Sequence, residues 1–549
     1  MRKQGAWAAM AAGVCVALLA ACGSAQDVAT SPDLTSTDPA TPVPTSTPTT
    51  SATSSTSPAP SSGAPQTTGS SEAPGKLPAG MGDGPAGEGI SRFYDQQVDW
   101  VDCGDGNSCA DVWVPLDYDA PDGPAITIKA KRDPADDRGH KLGSLFINPG
   151  GPGGSGIDYV GYANFDPAIT DVYDVVGFDP RGVGTSTPVD CITDSEVDEF
   201  VAADPSPDTE QEIAQFEQSW ARYTAGCVAN SGPLLRHVST VEVARDLDVL
   251  RAVVGDRSLH YFGASYGTYI GATYAALFPD NVGRMVLDGA VDPLASPHRT
   301  ELGQAVGFET ALTAYLKDCV DTGTCPLGGD VGTARDRVAS LMSDLDANPL
   351  PTSGGRELTE GLGFLGVIVP LYSRTTWSYL TQGFEGAVQG EGDVLLSLSD
   401  AYTQRQLDGT YPSNSLEVQS AVNCLDHPEH ESVAQIEAGA AEFERRAPVF
   451  GPAAAWFGYG CSNWPVPRIQ PVPDFSAKGA APIVVVGTTR DPATPYQQSV
   501  NLARELDSGV LLSRNGDGHT AYDSGNTCID TTVDAYLTDG TVPQDGTTC

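Results

Sequence analysis

The chain has 549 residues, 30 of them basic and 71 acidic, for a formal net charge of −41 at pH 7. That balance excludes polyanion binding as a main task and argues against nucleic acid or an anionic lipid surface as a partner. With 40% hydrophobic residues but also 61 glycines and 42 prolines, the composition supports a large folded body plus segments that cannot join one.

Arg2 and Lys3 precede an apolar run that ends at Ala21 and is too short to span a bilayer. Residues 1–21 therefore read as a targeting segment. Leu19-Ala20-Ala21-Cys22 places small residues before a cysteine directly after the apolar run, the arrangement of a lipoprotein cleavage box. It predicts lipidation of Cys22 as the first mature residue, and so a membrane association through a lipid anchor only. An ordinary secretory signal cut near Ala21 is the alternative. Residues 22–88 are rich in Ser, Thr, Pro, Ala and Gly, with almost no large apolar side chain. Such a stretch cannot offset its ordering entropy and is expected to be a disordered tether.

From Asp111 onward, short apolar runs alternate with helical patterns, the sign of a mostly parallel sheet covered by helices. Predicted strands are Val112–Pro115, Ala125–Lys129, Ser144–Asn148, Val172–Phe178, Leu259–Phe262, Arg284–Asp288, Ile483–Gly487 and Gly509–Ser513. After the third comes the Gly-rich loop Asn148-Pro-Gly150-Gly151-Pro-Gly-Gly-Ser155-Gly. No Gly-Lys-Ser/Thr follows it, so it is not a phosphate cradle. Thr240–Val254 reads as an amphipathic helix capped by Ser239 or Thr240. The fifth strand runs into Gly263-Ala-Ser265-Tyr266-Gly267, a Gly-x-Ser-x-Gly turn that would lift Ser265 to the top of the sheet. Between residues 292 and 474 the strand pattern fades, and helices such as Thr300–Val320, Val331–Ala347 and Ser432–Arg446 replace it. Eight strands with an elbow after the fifth describe an α/β-hydrolase fold: residues 89–291 and 475–549 form the core, and a largely helical cap is inserted after the sixth strand.

Cys15 leaves with the leader and Cys22 is the lipid site, which leaves ten cysteines in an exported chain, an even number that reads as disulfides. Pairing in chain order is expected: Cys103 with Cys109, Cys191 with Cys227, Cys319 with Cys325, Cys424 with Cys461, and Cys528 with Cys549. No C-x-x-C pair is present, and His427-Pro-Glu-His430 reads as a surface turn, so no metal is expected.

A serine hydroxyl needs a base to become a nucleophile at neutral pH, and the base needs an orienting carboxylate. The seventh strand is followed by Arg490-Asp491-Pro-Ala-Thr494 and the eighth by Asp517-Gly-His519, which place an acid and an imidazole on the sheet edge that holds Ser265. Of seven histidines, only His519 follows a late strand in a Gly-rich turn. Asp491 is the expected acid; Asp517 competes but stands only two residues before the histidine. The oxyanion hole needs two backbone N–H groups, expected from Tyr266 and from the Gly-rich loop after the third strand.

Asn148-Pro-Gly-Gly-Pro-Gly-Gly-Ser-Gly resembles the Gly-Gly-Pro-Gly loop of the prolyl-iminopeptidase family, and in detail the actinobacterial tripeptidyl aminopeptidases of that clan. Further matches are Gly177-Phe-Asp179-Pro-Arg181-Gly, Ala244-Arg-Asp246-Leu-Asp248, Val286-Leu-Asp288-Gly-Ala-Val-Asp292-Pro and Gly487-Thr-Thr-Arg-Asp491-Pro-Ala-Thr494-Pro. Asn148-Pro149 replaces the His that iminopeptidases carry before Gly-Gly, which favours the tripeptidyl branch. The resemblance implies removal of short peptides from free N-termini, with Ser265 as nucleophile, Asp491 as acid, His519 as base, oxyanion donors at Tyr266 and Gly151, and no cofactor. An aminopeptidase also needs a carboxylate for the substrate's ammonium. Asp292, Glu309 and Asp426 are the candidates, with Thr494 as a further substrate-binding residue. A carboxylesterase with the same triad is the alternative reading, and a non-catalytic binding protein on this scaffold a more distant one.

Overall fold

The computed structural model describes residues 80–549 except 430 and 468–470. The leader, Cys22, the tether up to residue 79, and His430 lie outside the described residues. Residues 80–88, expected to belong to the tether, are part of the described fold: β1 (Met81–Gly82) pairs antiparallel with Ala125–Ile126. Gly82 lies flat on the Trp113 ring, 3.0 Å from where its Cβ would stand. Composition reads such glycines as slack, yet here the missing side chains permit the packing.

The remaining strands are β2 (Val101–Gly104), β3 (Asn107–Pro115), β4 (Ala125–Asp133), β5 (Gly143–Asn148), β6 (Tyr173–Phe178), β7 (Leu259–Ala264) and β8 (Val282–Asp288). A separate small hairpin, β9 (Leu350–Pro351) and β10 (Glu357–Leu358), precedes β11 (Ile483–Arg490), β12 (Gly509–Asp517) and β13 (Thr547–Thr548). The main sheet has eleven strands in the order β13-β12-β11-β8-β7-β5-β6-β4-β3-β2, with β1 added on β4. Pairings from β6 through β5, β7, β8 and β11 to β12 are parallel, and those among β2, β3, β4 and β6 are antiparallel. All eight predicted strands are present; β1, β2 and β13 raise the count to eleven. Two of the additions have only two residues and β2 is exposed throughout, so no apolar run marks them.

Every residue of β5 and β6 is buried, as expected where helices cover both faces of a parallel sheet. Alternation splits the core in two. Phe146, Tyr261, Met285, Ile483 and Val485 pack on the side of helices Thr240–Val253 and Tyr266–Leu277. Ile147, Phe262, Val286, Val484 and Val486 face helix Thr527–Asp539. Each such side chain, removed from water, contributes roughly 1.5–3 kcal/mol. Ser239 caps the helix at Thr240, its hydroxyl accepting from the Glu242 N–H.

The helical cap has two sources rather than one. Besides the segment between β8 and β11, the stretch after β6 contributes helices Asp194–Val201 and Glu210–Ser231, each opened by a capping box. Phe216 of the second packs 5.4 Å from both Trp456 and Tyr459, ring centroid to centroid. Conversely, helix Ser415–Asp426, expected in the cap, buries Val418, Ala421, Val422 and Leu425 against the hydrolase core. The five disulfides join the ten cysteines in chain order. No helix among the described residues is long and apolar enough to cross a membrane.

Candidate active site

Ser265 stands between β7 and helix Tyr266–Leu277 with φ 56° and ψ −127°. A non-glycine residue reaches that region only when its surroundings hold it there, at a cost of about 1–3 kcal/mol. The hold is visible. The Ser265 N–H donates to the Asp288 carbonyl (2.9 Å), and a Cβ on Gly263 or Gly267 would meet backbone oxygen at 2.4 or 2.8 Å. Any side chain at either position would push the elbow apart.

The Gly-rich loop wraps the same elbow. A Cβ on Gly150 would fall 2.8 Å from the Ser265 Cβ and 2.9 Å from the Tyr266 nitrogen, so the loop backbone passes directly beside both. Gly150 has φ 99° and Gly151 φ 114°, conformations that suit glycine. No hydrogen bond from the Tyr266 or Gly151 N–H is seen among the described residues. The loop is pinned from behind: the Gly150 N–H donates to the Asn148 side chain, and the Ser155 hydroxyl donates to Asp179 at 2.6 Å. Helix Ser415–Asp426 closes it from outside, since a Cβ on Gly153 would lie 2.8 Å from the Ser415 Cα.

Asp491 and His519 meet at the ends of β11 and β12. His519 Nδ1 lies 2.8 and 3.0 Å from the two Asp491 oxygens. Asp491 is 2% exposed and accepts three further bonds, from the N–H groups of Ala493, Thr494 and Thr520. These bonds fix the carboxylate in place. Burial opposes a charge on His519, yet the Asp491 charge and hydrogen bond, with help from Asp288, raise its pKa above the ordinary histidine value. Its Cε1 packs over Gly289, the residue after Asp288, which brings the ring to the strand end that holds Ser265. Asp517, the competing acid, is instead paired with Arg490.

Sequence reasoning missed Asp288. Its side chain, 1% exposed, accepts the N–H groups of Ala521 and Tyr522 and so clamps the loop that carries His519. Burial pushes this carboxyl up to about 6, against those two N–H groups. Strand assignment places it at the end of β8 but carries no sign of this clamp.

The expected substrate carboxylates separate by environment. Asp292 accepts from the Leu294 N–H and the Asn501 amide, and so is engaged in a turn. Glu309 accepts the Val449 N–H at 3.1 Å inside the cap's own packing. Thr494 lies with its hydroxyl 3.4 Å from His519 Nδ1, in the acid's turn rather than in a separate pocket. Asp426 alone touches the elbow region: it accepts the Thr240 N–H and hydroxyl, and that hydroxyl also meets the Tyr266 phenol. A different pair stands out. On helix Pro297–Asp321, Gln304 donates to the Ala493 carbonyl and Phe308 packs on Tyr372, whose ring meets His519. One turn upstream on that face lies Glu301, which converges with Glu431 on Gly458. One Glu301 oxygen is buried without a hydrogen-bond partner. Burial and then the Glu431 charge push its carboxyl up to about 8. Asp, Glu and Gln are common, so nothing in a single sequence marks this glutamate.

A family profile described as TAP-like protein matches residues 447–549. The chain is 40% identical over 485 residues to serine protease Hip1 of Mycobacterium tuberculosis, covering 83% of this chain and 91% of that one. It is 38% identical to carboxylesterase B of the same species (80% and 86% covered) and 32% identical to the tripeptidyl aminopeptidase of Streptomyces lividans (82% and 86%). The chain belongs to the TAP-like α/β-hydrolases. Within this family of serine hydrolases, the marks quoted from sequence resolve into supports of the site. In this TAP-like hydrolase, Arg181 is fully buried, bonds Asp246 through two nitrogens, and donates to the carbonyls of Pro115, Leu116 and His237. Asp248 collects Tyr94, Arg251, Tyr274 and Asn281.

Proposed function

We propose that the chain is an exported serine exopeptidase that removes short peptides, tripeptides foremost, from free N-termini. The observation that carries the reading is the Asp491–His519 pair beside the Ser265 elbow, together with the Glu301 carboxyl, which is buried in the helical insertion with one oxygen unpaired, while its neighbour Glu431 meets His298 Nδ1 at 3.2 Å. His519 takes the Ser265 proton as the hydroxyl attacks the scissile carbonyl, and Asp491 stabilises the imidazolium. The Tyr266 and Gly151 N–H groups receive the oxyanion. His519 then protonates the leaving amine, and water, activated by the same ring, releases the acyl peptide.

The amine end is read by Glu301 with Glu431. A carboxyl held protonated by burial ionises when a substrate ammonium supplies the missing charge, and the resulting hydrogen bond is worth roughly 1.5–3 kcal/mol. Glu301→Gln and Glu431→Gln should each lower kcat/KM for a free tripeptide anilide about 10–100-fold while sparing the hydrolysis of a small neutral ester. If both variants keep the wild-type preference for free over acetylated substrates, the amine is bound elsewhere, and Asp426 is the next residue to test. The similarity to a protein named carboxylesterase B favours a second reading, an esterase on the same triad. Rapid ester turnover with no action on either anilide would establish it.

We further propose that the enzyme is anchored by lipid on Cys22. Intact-mass analysis of the mature chain should give an N-terminal cysteine carrying acyl mass, and a mature N-terminus without acyl mass would refute the anchor.

A further inference from the structure

We propose that Asp204, Asp346 and Glu360 form a calcium-ion site that fastens the first helical insertion of the cap to the second. The three come from separate elements. Asp204 lies in the loop between helices Asp194–Val201 and Glu210–Ser231, Asp346 near the end of helix Val331–Ala347, and Glu360 opens helix Glu360–Ile368. Each offers an oxygen within 4.8 Å of the others. A single ion with bonds of about 2.4 Å spans that separation.

Glu360 supplies the observation that a surface acidic cluster lacks. It is 7% exposed, and its Oε2 is buried with no hydrogen-bond partner, as is Asp204 Oδ2. The other oxygen of each is satisfied by Ser206, whose hydroxyl donates to Glu360 Oε1 at 2.7 Å and whose N–H donates to Asp204 Oδ1 at 2.8 Å. Two acid oxygens are thus buried with no other side-chain or backbone donor, in carboxyl groups that lie within hydrogen-bonding reach of each other. The charges acting on the trio are chiefly their own and that of Glu212, with no cation among them, and the pKa of each carboxyl is raised, burial first. Buried carboxyls in this state either hold protons or are completed by a cation that returns their charge.

An all-oxygen donor set selects a hard cation, and three irregularly placed carboxylates with one exposed flank suit calcium better than octahedral magnesium. Asp346 is the exposed member, which gives an entry path and room for waters. The joint is close even without an ion: a Cβ on Gly361 would fall 2.6 Å from the Val201 carbonyl oxygen and 2.5 Å from that of Ala203. No cysteine or histidine takes part, so the spacing patterns that reveal zinc sites carry no trace of this one.

The test is calorimetric titration of the EDTA-treated chain with calcium chloride, paired with thermal unfolding. The expected result is one saturable calcium site per chain, weaker binding of magnesium, and a higher melting temperature with calcium. Asp346→Asn, on the exposed flank, should weaken binding at least about tenfold and leave the calcium-free melting temperature unchanged. Glu360→Gln should abolish the site. A chain with a net charge of −41 also attracts cations diffusely, so the variants decide the matter. No saturable binding, or binding that both variants retain in full, overturns the proposal and leaves a carboxyl cluster that shares protons.

Discussion

At the residue scale the account rests on His519, whose pKa the Asp491 charge lifts above the ordinary histidine value of about 6.5. The base works only when neutral. Activity is therefore complete above the raised pKa and is lost as pH falls through it, so the acid limb of kcat/KM should lie above pH 6.5 or so. Asp491→Asn removes the attraction: it should move the limb to lower pH and cut kcat by about 10⁴-fold through the wrong tautomer. A pH–rate profile of the two proteins checks both effects, and an unmoved limb would mean that another group sets it. The serine, histidine and acid were readable because catalysis dictates their order and their places after particular strands. Asp288 and Glu301 were not, because their roles arise from burial and from what fails to pair with them. Both are properties of three-dimensional neighbours rather than of spacing.

Among the elements, the parallel strands were legible because burial on both faces makes them nearly continuous apolar runs. Helices with Ser, Thr or Asp caps were legible too: Val331–Ala347 has the predicted bounds, and Ser432 opens its helix with a capping box. The two-residue strands carry no period to detect. The insertion after β6 was hidden by its position, since helices there read as ordinary crossovers of the sheet. Its assignment to the cap depends on Phe216, Trp220 and Tyr459 meeting across a gap of more than two hundred residues in the chain. Arg181 shows how the elements are locked together. Its guanidinium bonds the end of β3, the turn before helix Thr240–Val253, and Asp246 within that helix. Arg181→Met would leave Asp246 buried without its cation and should cost about 3–5 kcal/mol. Urea denaturation measures this directly, and a loss below 1 kcal/mol or so would show that the pair is replaceable.

For the whole molecule, composition predicted an acidic, disulfide-bonded body behind a polar tether, and the described chain begins its fold at Met81, earlier than composition suggested. Five bridges staple the hydrolase core and both parts of the cap. The two helical insertions are the segments that would enclose the proposed site, whose triad chemistry peptidases and esterases share. What distinguishes them is whether the enclosure measures distance from a charged amino terminus. The most direct measurement is mass spectrometry of the first products from an unlabelled peptide and from its N-acetylated twin. The account predicts successive tripeptides from the free peptide, none from the acetylated one, and none from either with Ser265→Ala. Equal cleavage of both peptides, or internal fragments from either, would contradict it.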